Sequence, residues 1–321
     1  MKYRTFGKTG LKISEISYGS WSISGDAYGT VSVDDAHRAL SIANDHGCNF
    51  IDTASVYGSA ESYIGKYFKA NSNRHNWYLA TKYSGQKDGF NTTLVRQLVT
   101  LKTDYIDFYQ LHWVPNLKEH SLYEDLLKAK ESGKIRFIGM SAYSESDIDL
   151  LINHYHVDGV QLPFNLLQPY PYLSKSQILK AHNIGILVRS PLHSGYLSGR
   201  YKENHPITDT NDLRSKNELI KHNAIVRKAN SFTSIVKDNK SLLEIAASYP
   251  LTYDSTSSVL LGTKSPEQAD YNFGKIPDIT LTEAELEAIF NIQKRQGLHP
   301  TYAKKLLKYL YKIIKRSISK L

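Results

Sequence analysis

The sequence predicts an α/β protein built as a (β/α)8 TIM barrel, and three observations carry that prediction. Short apolar runs alternate with helical segments eight times along the chain. The runs are nearly continuously apolar, as parallel strands covered on both faces are. The turn after the first run, "YGSWSISGDAYG", lacks the G-x-G-x-x-G spacing of a doubly wound dinucleotide fold. A closed barrel also accounts for 321 residues with one core.

The elements follow in order. "KYRTFGKTGLKIS" reads as two short strands around Gly7 and Gly10, an N-terminal hairpin closing the barrel bottom. "EISYGSW" (15–21) leads into a helix over 32–46, with Ser32 as N-cap and Ala36, Ala39, Leu40 and Ala43 as its apolar face. "NFIDTA" precedes a helix near 59–70, "WYLATKY" (77–83) precedes "NTTLVRQLVTLK", and "YIDFYQLHW" (105–113) precedes "SLYEDLLKAKESGK". "IRFIGMSAY" (135–143) leads to "SESDIDLLINHY", and "VDGVQLPFN" (157–165) to "LSKSQILKAHNIG". "GILVRSPL" (185–192) and "SSVLLGT" (257–263) are strands seven and eight, the latter followed by "SPEQADYNFG". Between them, 193–256 is a long insertion with its own helices, expected to wall the active site.

The barrel is expected to end near 297, leaving 298–321 as a tail. Leu306, Leu307, Leu310, Ile313, Ile314 and Ile318 recur every third or fourth residue, with lysines favouring the other face, so a basic amphipathic helix is expected. It could pack back on the barrel, or attach to an acidic membrane surface or a partner protein. The formal charge of +9 belongs mostly to this tail: 301–321 has seven Lys/Arg and no acid. The first 300 residues carry 33 basic against 31 acidic side chains, which argues against a nucleic-acid-binding body. The single cysteine, Cys48, excludes an intrachain disulfide framework and a cysteine-rich metal site, and no metal is expected. No apolar leader and no run of ~18 apolar residues is present. A cytoplasmic protein is expected, with contact at the inner membrane surface under the second reading of the tail.

Chemistry in a barrel gathers at the C-terminal strand ends, which share one mouth. Those ends carry Asp52, Lys82, His112, Ser141, Gln161 and Arg189-Ser190 in turn, and Tyr57 lies in the turn after Asp52. Each alone has a structural reading: a capping acid, a packed tyrosine, a snorkelling lysine, a core histidine. Together they suit the protonation of an oxygen that becomes an alkoxide. A lysine ammonium lowers a phenol's pKa, an acid holds the lysine, and a histidine orients the substrate oxygen. Trp21, Tyr83 and Trp113 are candidate substrate-pocket residues beside strand ends.

With "FIDTASVYG", "LATK", "YIDFYQLHW", "GMSAYS", "VQLPFNLLQ", "RSPLHSGYLSGRY" and "LLGTKSPEQADYN", the chain resembles the aldo-keto reductase family from residue 1 to about 297. The resemblance implies a catalytic tetrad of Asp52, Tyr57, Lys82 and His112, and NADP(H) bound on the barrel, with NAD(H) as the alternative. It implies that Ser141 and Gln161 meet the nicotinamide carboxamide, and that Ser190, Pro191, Leu192, Ser194 and Gly195 surround the pyrophosphate, with Arg200 near it. Gly262, Lys264, Gln268 and Asn272 would grip the adenosine end, Lys264 facing a 2′-phosphate. Arg189 is also expected among the cofactor-binding residues. Three positions depart from the family pattern: Ala142 replaces a frequent asparagine, Arg189 a ring that stacks on the nicotinamide, and Tyr271 a glutamate near the adenine. The function implied is reduction of an aldehyde or ketone to an alcohol, with a sugar or sugar derivative among the substrates the resemblance suggests. A cofactor-binding regulatory or scaffold subunit of the same fold is the alternative.

Overall fold

A computed structural model describes residues 1–236 and 240–299. Two short antiparallel strands, β1 (Tyr3–Thr5) and β2 (Lys12–Ser14), form the hairpin. Eight parallel strands close a barrel: β3 (Ile16–Gly19), β4 (Phe50–Asp52), β5 (Tyr78–Tyr83), β6 (Ile106–Leu111), β7 (Ile135–Ser141), β8 (Gly159–Pro163), β9 (Gly185–Arg189) and β10 (Ser258–Gly262). Each strand pairs with its neighbour in sequence, and β10 closes against β3 with Leu260 opposite Ser17.

The helices are α1 (Val33–Asp45), α2 (Ala60–Asn71), α3 (Gly89–Leu101), α4 (Ser121–Glu131), α5 (Glu145–His154), α6 (Tyr172–Ala181), α7 (Leu219–Asn230), α8 (Leu242–Ser248), α9 (Pro266–Ala269) and α10 (Glu283–Arg295). Ser32 caps α1 as expected, accepting from the Asp35 amide, and Ala36, Ala39, Leu40 and Ala43 are its buried residues. The insertion between β9 and β10 contains α7 and α8. α10 was absent from the expected elements, although Thr282 and Glu285 form a reciprocal capping box at its start. The tail helix expected beyond residue 299 lies outside the described residues. Among those residues no helix is long and apolar enough to cross a membrane.

The barrel interior is divided by height, and that division positions the site. Its lower half is apolar: Phe6 from the hairpin meets Phe50, Ala80, Phe108, Leu187 and Leu260. The Phe6 ring lies 4.9 Å from Phe108, edge to face. The plug needs strands without side chains: a Cβ at Gly159 or Gly185 would stand 2.4 or 2.3 Å from the Phe6 ring. Because strand side chains alternate faces, the residue two positions beyond each interior residue also points inward, one layer higher. Phe50 is thus followed by Asp52, Ala80 by Lys82, Phe108 by Gln110, Gly159 by Gln161 and Leu187 by Arg189.

Candidate active site

The upper layer is polar and tightly bonded. Lys82, fully buried, donates from Nζ to Asp52 Oδ2 at 2.6 Å and to the Thr53 carbonyl at 2.8 Å. Asp52 Oδ1 accepts from Gln110 Nε2 at 3.0 Å and Gln161 Nε2 at 2.9 Å. The carboxylate is therefore held by three donors from three different strands. Burial pulls the Lys82 pKa down, and the Asp52 charge opposes it.

Tyr57 lies above this pair. Its turn is pinned by Gly58, whose φ of +40° is left-handed and where a Cβ would come 2.5 Å from the Ser24 carbonyl. The phenol ring stacks on Trp21 at 5.6 Å and meets the His112 ring edge-on at 5.8 Å. The Lys82 ammonium is 5.0 Å from its centroid. Burial, then the Asp52 charge, holds the Tyr57 pKa well above the ordinary tyrosine value, with the Arg189 charge opposing. The expected lowering of the phenol pKa is thus not found: burial and the Asp52 charge move it the other way. A phenol that stays protonated is the correct form of a proton donor.

His112 directly follows β6, in step with the inward-facing Phe108 and Gln110. Burial, reinforced by the Lys82 and Arg189 charges, lowers its pKa to about 3, so the imidazole is neutral near pH 7. Ser84 Oγ lies 2.7 Å from its Nδ1. A hydroxyl proton given to Nδ1 leaves Nε2 as an N–H donor.

These groups open onto a cavity of about 740 Å³. Asp52, Tyr57, His112, Gln161, Arg189, Ser190, Pro191, Leu192, Ser194, Gly195, Arg200, Gly262, Lys264, Gln268, Asn272 and Trp21 all line it, far apart in sequence though they are. Lys82 and Ser141 are fully buried behind that lining. Tyr83 and Trp113 do not line it. Tyr83 follows inward-facing Lys82, so alternation turns it outward onto Phe90 of α3, and Trp113 packs beside it at 6.1 Å. Sequence reasoning missed Gln110, Tyr28, Tyr143, Tyr201 and Arg214. Gln110 had a signal, a lone amide two residues before His112 on the same strand face. The others come from loops whose approach nothing local announces.

The cavity's chemistry suits a dinucleotide. Besides Arg189, its lining holds Arg200, Arg214 and Lys264, and among the described residues Asp52 is its one carboxylate. Ser141 Oγ is buried with no hydrogen-bond partner among the described residues, and so is open to an amide. Ser190, His193, Ser194 and Gly195 all have positive φ, from +46° to +86°. Three non-glycine residues in that region are strained backbone, which persists where the surroundings enforce it, often at binding sites.

Comparison with known proteins agrees with this architecture. L-galactose dehydrogenase of Arabidopsis thaliana is 29% identical over 93% of this chain and 98% of its own. Aldo-keto reductase YhdN of Bacillus subtilis is 28% identical over 84% and 87%. The structure of glycerol dehydrogenase AKR11B4 from Gluconobacter oxydans superposes with a TM-score of 0.76 at 24% identity, over 93% of this chain and 97% of that one, and shares the fold. The family model described as "Aldo/keto reductase family" matches residues 15–294, and the chain belongs to that family of oxidoreductases.

Proposed function

We propose that the protein reduces an aldehyde or ketone to an alcohol with NADP(H), Tyr57 supplying the proton. The observation that carries this reading is the buried Lys82–Asp52 pair at 2.6 Å under the Tyr57 ring, beside a neutral His112. Bound NADPH would supply the hydride. Tyr57 gives its hydroxyl proton to the substrate oxygen, and the Lys82 ammonium stabilises the phenolate left behind. Asp52 fixes Lys82, with Gln110 and Gln161 fixing Asp52 in turn. His112, with Nδ1 on Ser84, orients the carbonyl through Nε2–H.

For the cofactor, Ser141 and the free oxygen of Gln161 would hold the carboxamide. Ser190, Pro191, Leu192, Ser194, Gly195 and Arg200 would surround the pyrophosphate. Gly262, Lys264, Gln268 and Asn272 would take the adenosine end, Lys264 favouring NADP(H) over NAD(H) by charge. The names of L-galactose dehydrogenase and glycerol dehydrogenase support a sugar or polyol-like substrate. Following NADPH oxidation with a panel of aldehydes, ketones and keto-sugars tests the reading. Tight NADPH binding without turnover on any of them would sink it in favour of a regulatory subunit.

A further inference from the structure

Arg189 ends β9 with its side chain turned into the cavity that Tyr57 and His112 line. Its guanidinium has no ion-pair or hydrogen-bond partner among the described residues, and its Nε is buried without an acceptor. Its guanidinium lies over the face of Tyr143, 4.4 Å from the ring centroid, and a π face accepts no conventional hydrogen bond. The only carboxylate in the lining among the described residues is already engaged, Asp52 Oδ2 by Lys82 and Oδ1 by Gln110 and Gln161. Burying an unpaired cation is costly, so a free guanidinium aimed into a cavity calls for an anion.

The charge count states which anion. Around the reacting end stand two cations, Lys82 and Arg189, against one carboxylate, Asp52. One further negative charge balances them. Of the other cations in the lining, Arg214 pairs with Asp212, Lys264 donates to the Tyr28 carbonyl at 2.8 Å, and exposed Arg200 is left for the pyrophosphate of the proposed cofactor. A guanidinium over a ring face and without a hydrogen-bond partner matches a carboxylate, which takes two parallel hydrogen bonds from it.

We propose that Arg189 is a substrate-binding residue rather than a cofactor contact, and that the substrate is a carbonyl compound bearing a carboxylate. This rests on the reductase reading above. Arg189 anchors the carboxylate while Tyr57 and His112 address the carbonyl oxygen. An acidic sugar derivative satisfies both the charge and the polyol-like names of the relatives.

The test compares acids with their amides. Pyruvate, succinic semialdehyde and glucuronate place the carboxylate at increasing distance from the carbonyl; each is titrated calorimetrically beside its amide. At least one acid should bind ~10–100-fold more tightly than its amide, the range of one charged hydrogen-bonded pair. In R189Q that ratio should collapse towards one, and R189K should keep part of it. The proposal is overturned if no acid exceeds its amide in the wild type, or if the preference survives R189Q. It is equally overturned if R189Q weakens NADPH while the acid-to-amide ratio stays intact, which would assign Arg189 to the cofactor. Binding needs no turnover, so a failure of every compound to oxidise NADPH counts against the reductase reading alone.

Discussion

Breaking the Asp52–Lys82 pair tests both its energetics and its chemistry. In Lys82→Met the Asp52 carboxylate loses its cation inside the barrel and keeps only Gln110 and Gln161 as donors. In Asp52→Asn the Lys82 ammonium, fully buried, keeps only the Thr53 carbonyl. Either change leaves an uncompensated buried charge, worth about 3–5 kcal/mol of lost stability. The double variant holds no charge to strand and loses only hydrogen bonds, about 1–3 kcal/mol. The singles together thus exceed the double by at least about 3 kcal/mol, a coupling readable from urea midpoints at constant slope. Turnover behaves differently: both singles fall by ~10²–10⁴, and the double regains stability but no activity. Additive stabilities, or a double variant that regains turnover, would refute the argument.

Tyr57→Phe keeps the stack on Trp21 and the His112 contact while removing the hydroxyl. It should lose ~10²–10⁴ in kcat with NADPH affinity nearly intact, and wild-type kcat under hydride-limited conditions would disprove the proton-donor role. Lys264→Glu also releases the Tyr28 carbonyl, so both cofactors should weaken. NADPH should lose ~10–100-fold more than NADH in fluorescence titration, and equal losses would mean Lys264 reads no 2′-phosphate. For the tail, full-length protein should co-sediment with anionic vesicles at low salt, and a chain ending at His299 should stay folded and remain in solution. Equal sedimentation of the two would remove the membrane proposal.

Strand order, strand ends and most of the site were determined by the sequence alone, because a parallel barrel makes them local properties. Apolar runs mark strands, period-two alternation sets which residues face inward, and the C-terminal end of each run opens on the shared mouth. Asp52, His112, Gln161 and Arg189 follow from that rule, and Tyr57 from the turn that Gly58 enforces. The same rule, applied one residue further, would have turned Tyr83 outward. What only the tertiary structure decided depends on desolvation and on long-range approach. The Tyr57 pKa rises because burial and the Asp52 charge outweigh the Arg189 charge, a balance no motif encodes. Tyr28 and Arg214 meet because separate loops cross above the barrel, with Tyr28 bridging to Asp212. Arg189 became more than a departure from a family pattern once its neighbours proved to hold no acceptor for it. Residue identity places a charge on a strand; whether that charge has a partner is settled only by the folded surroundings.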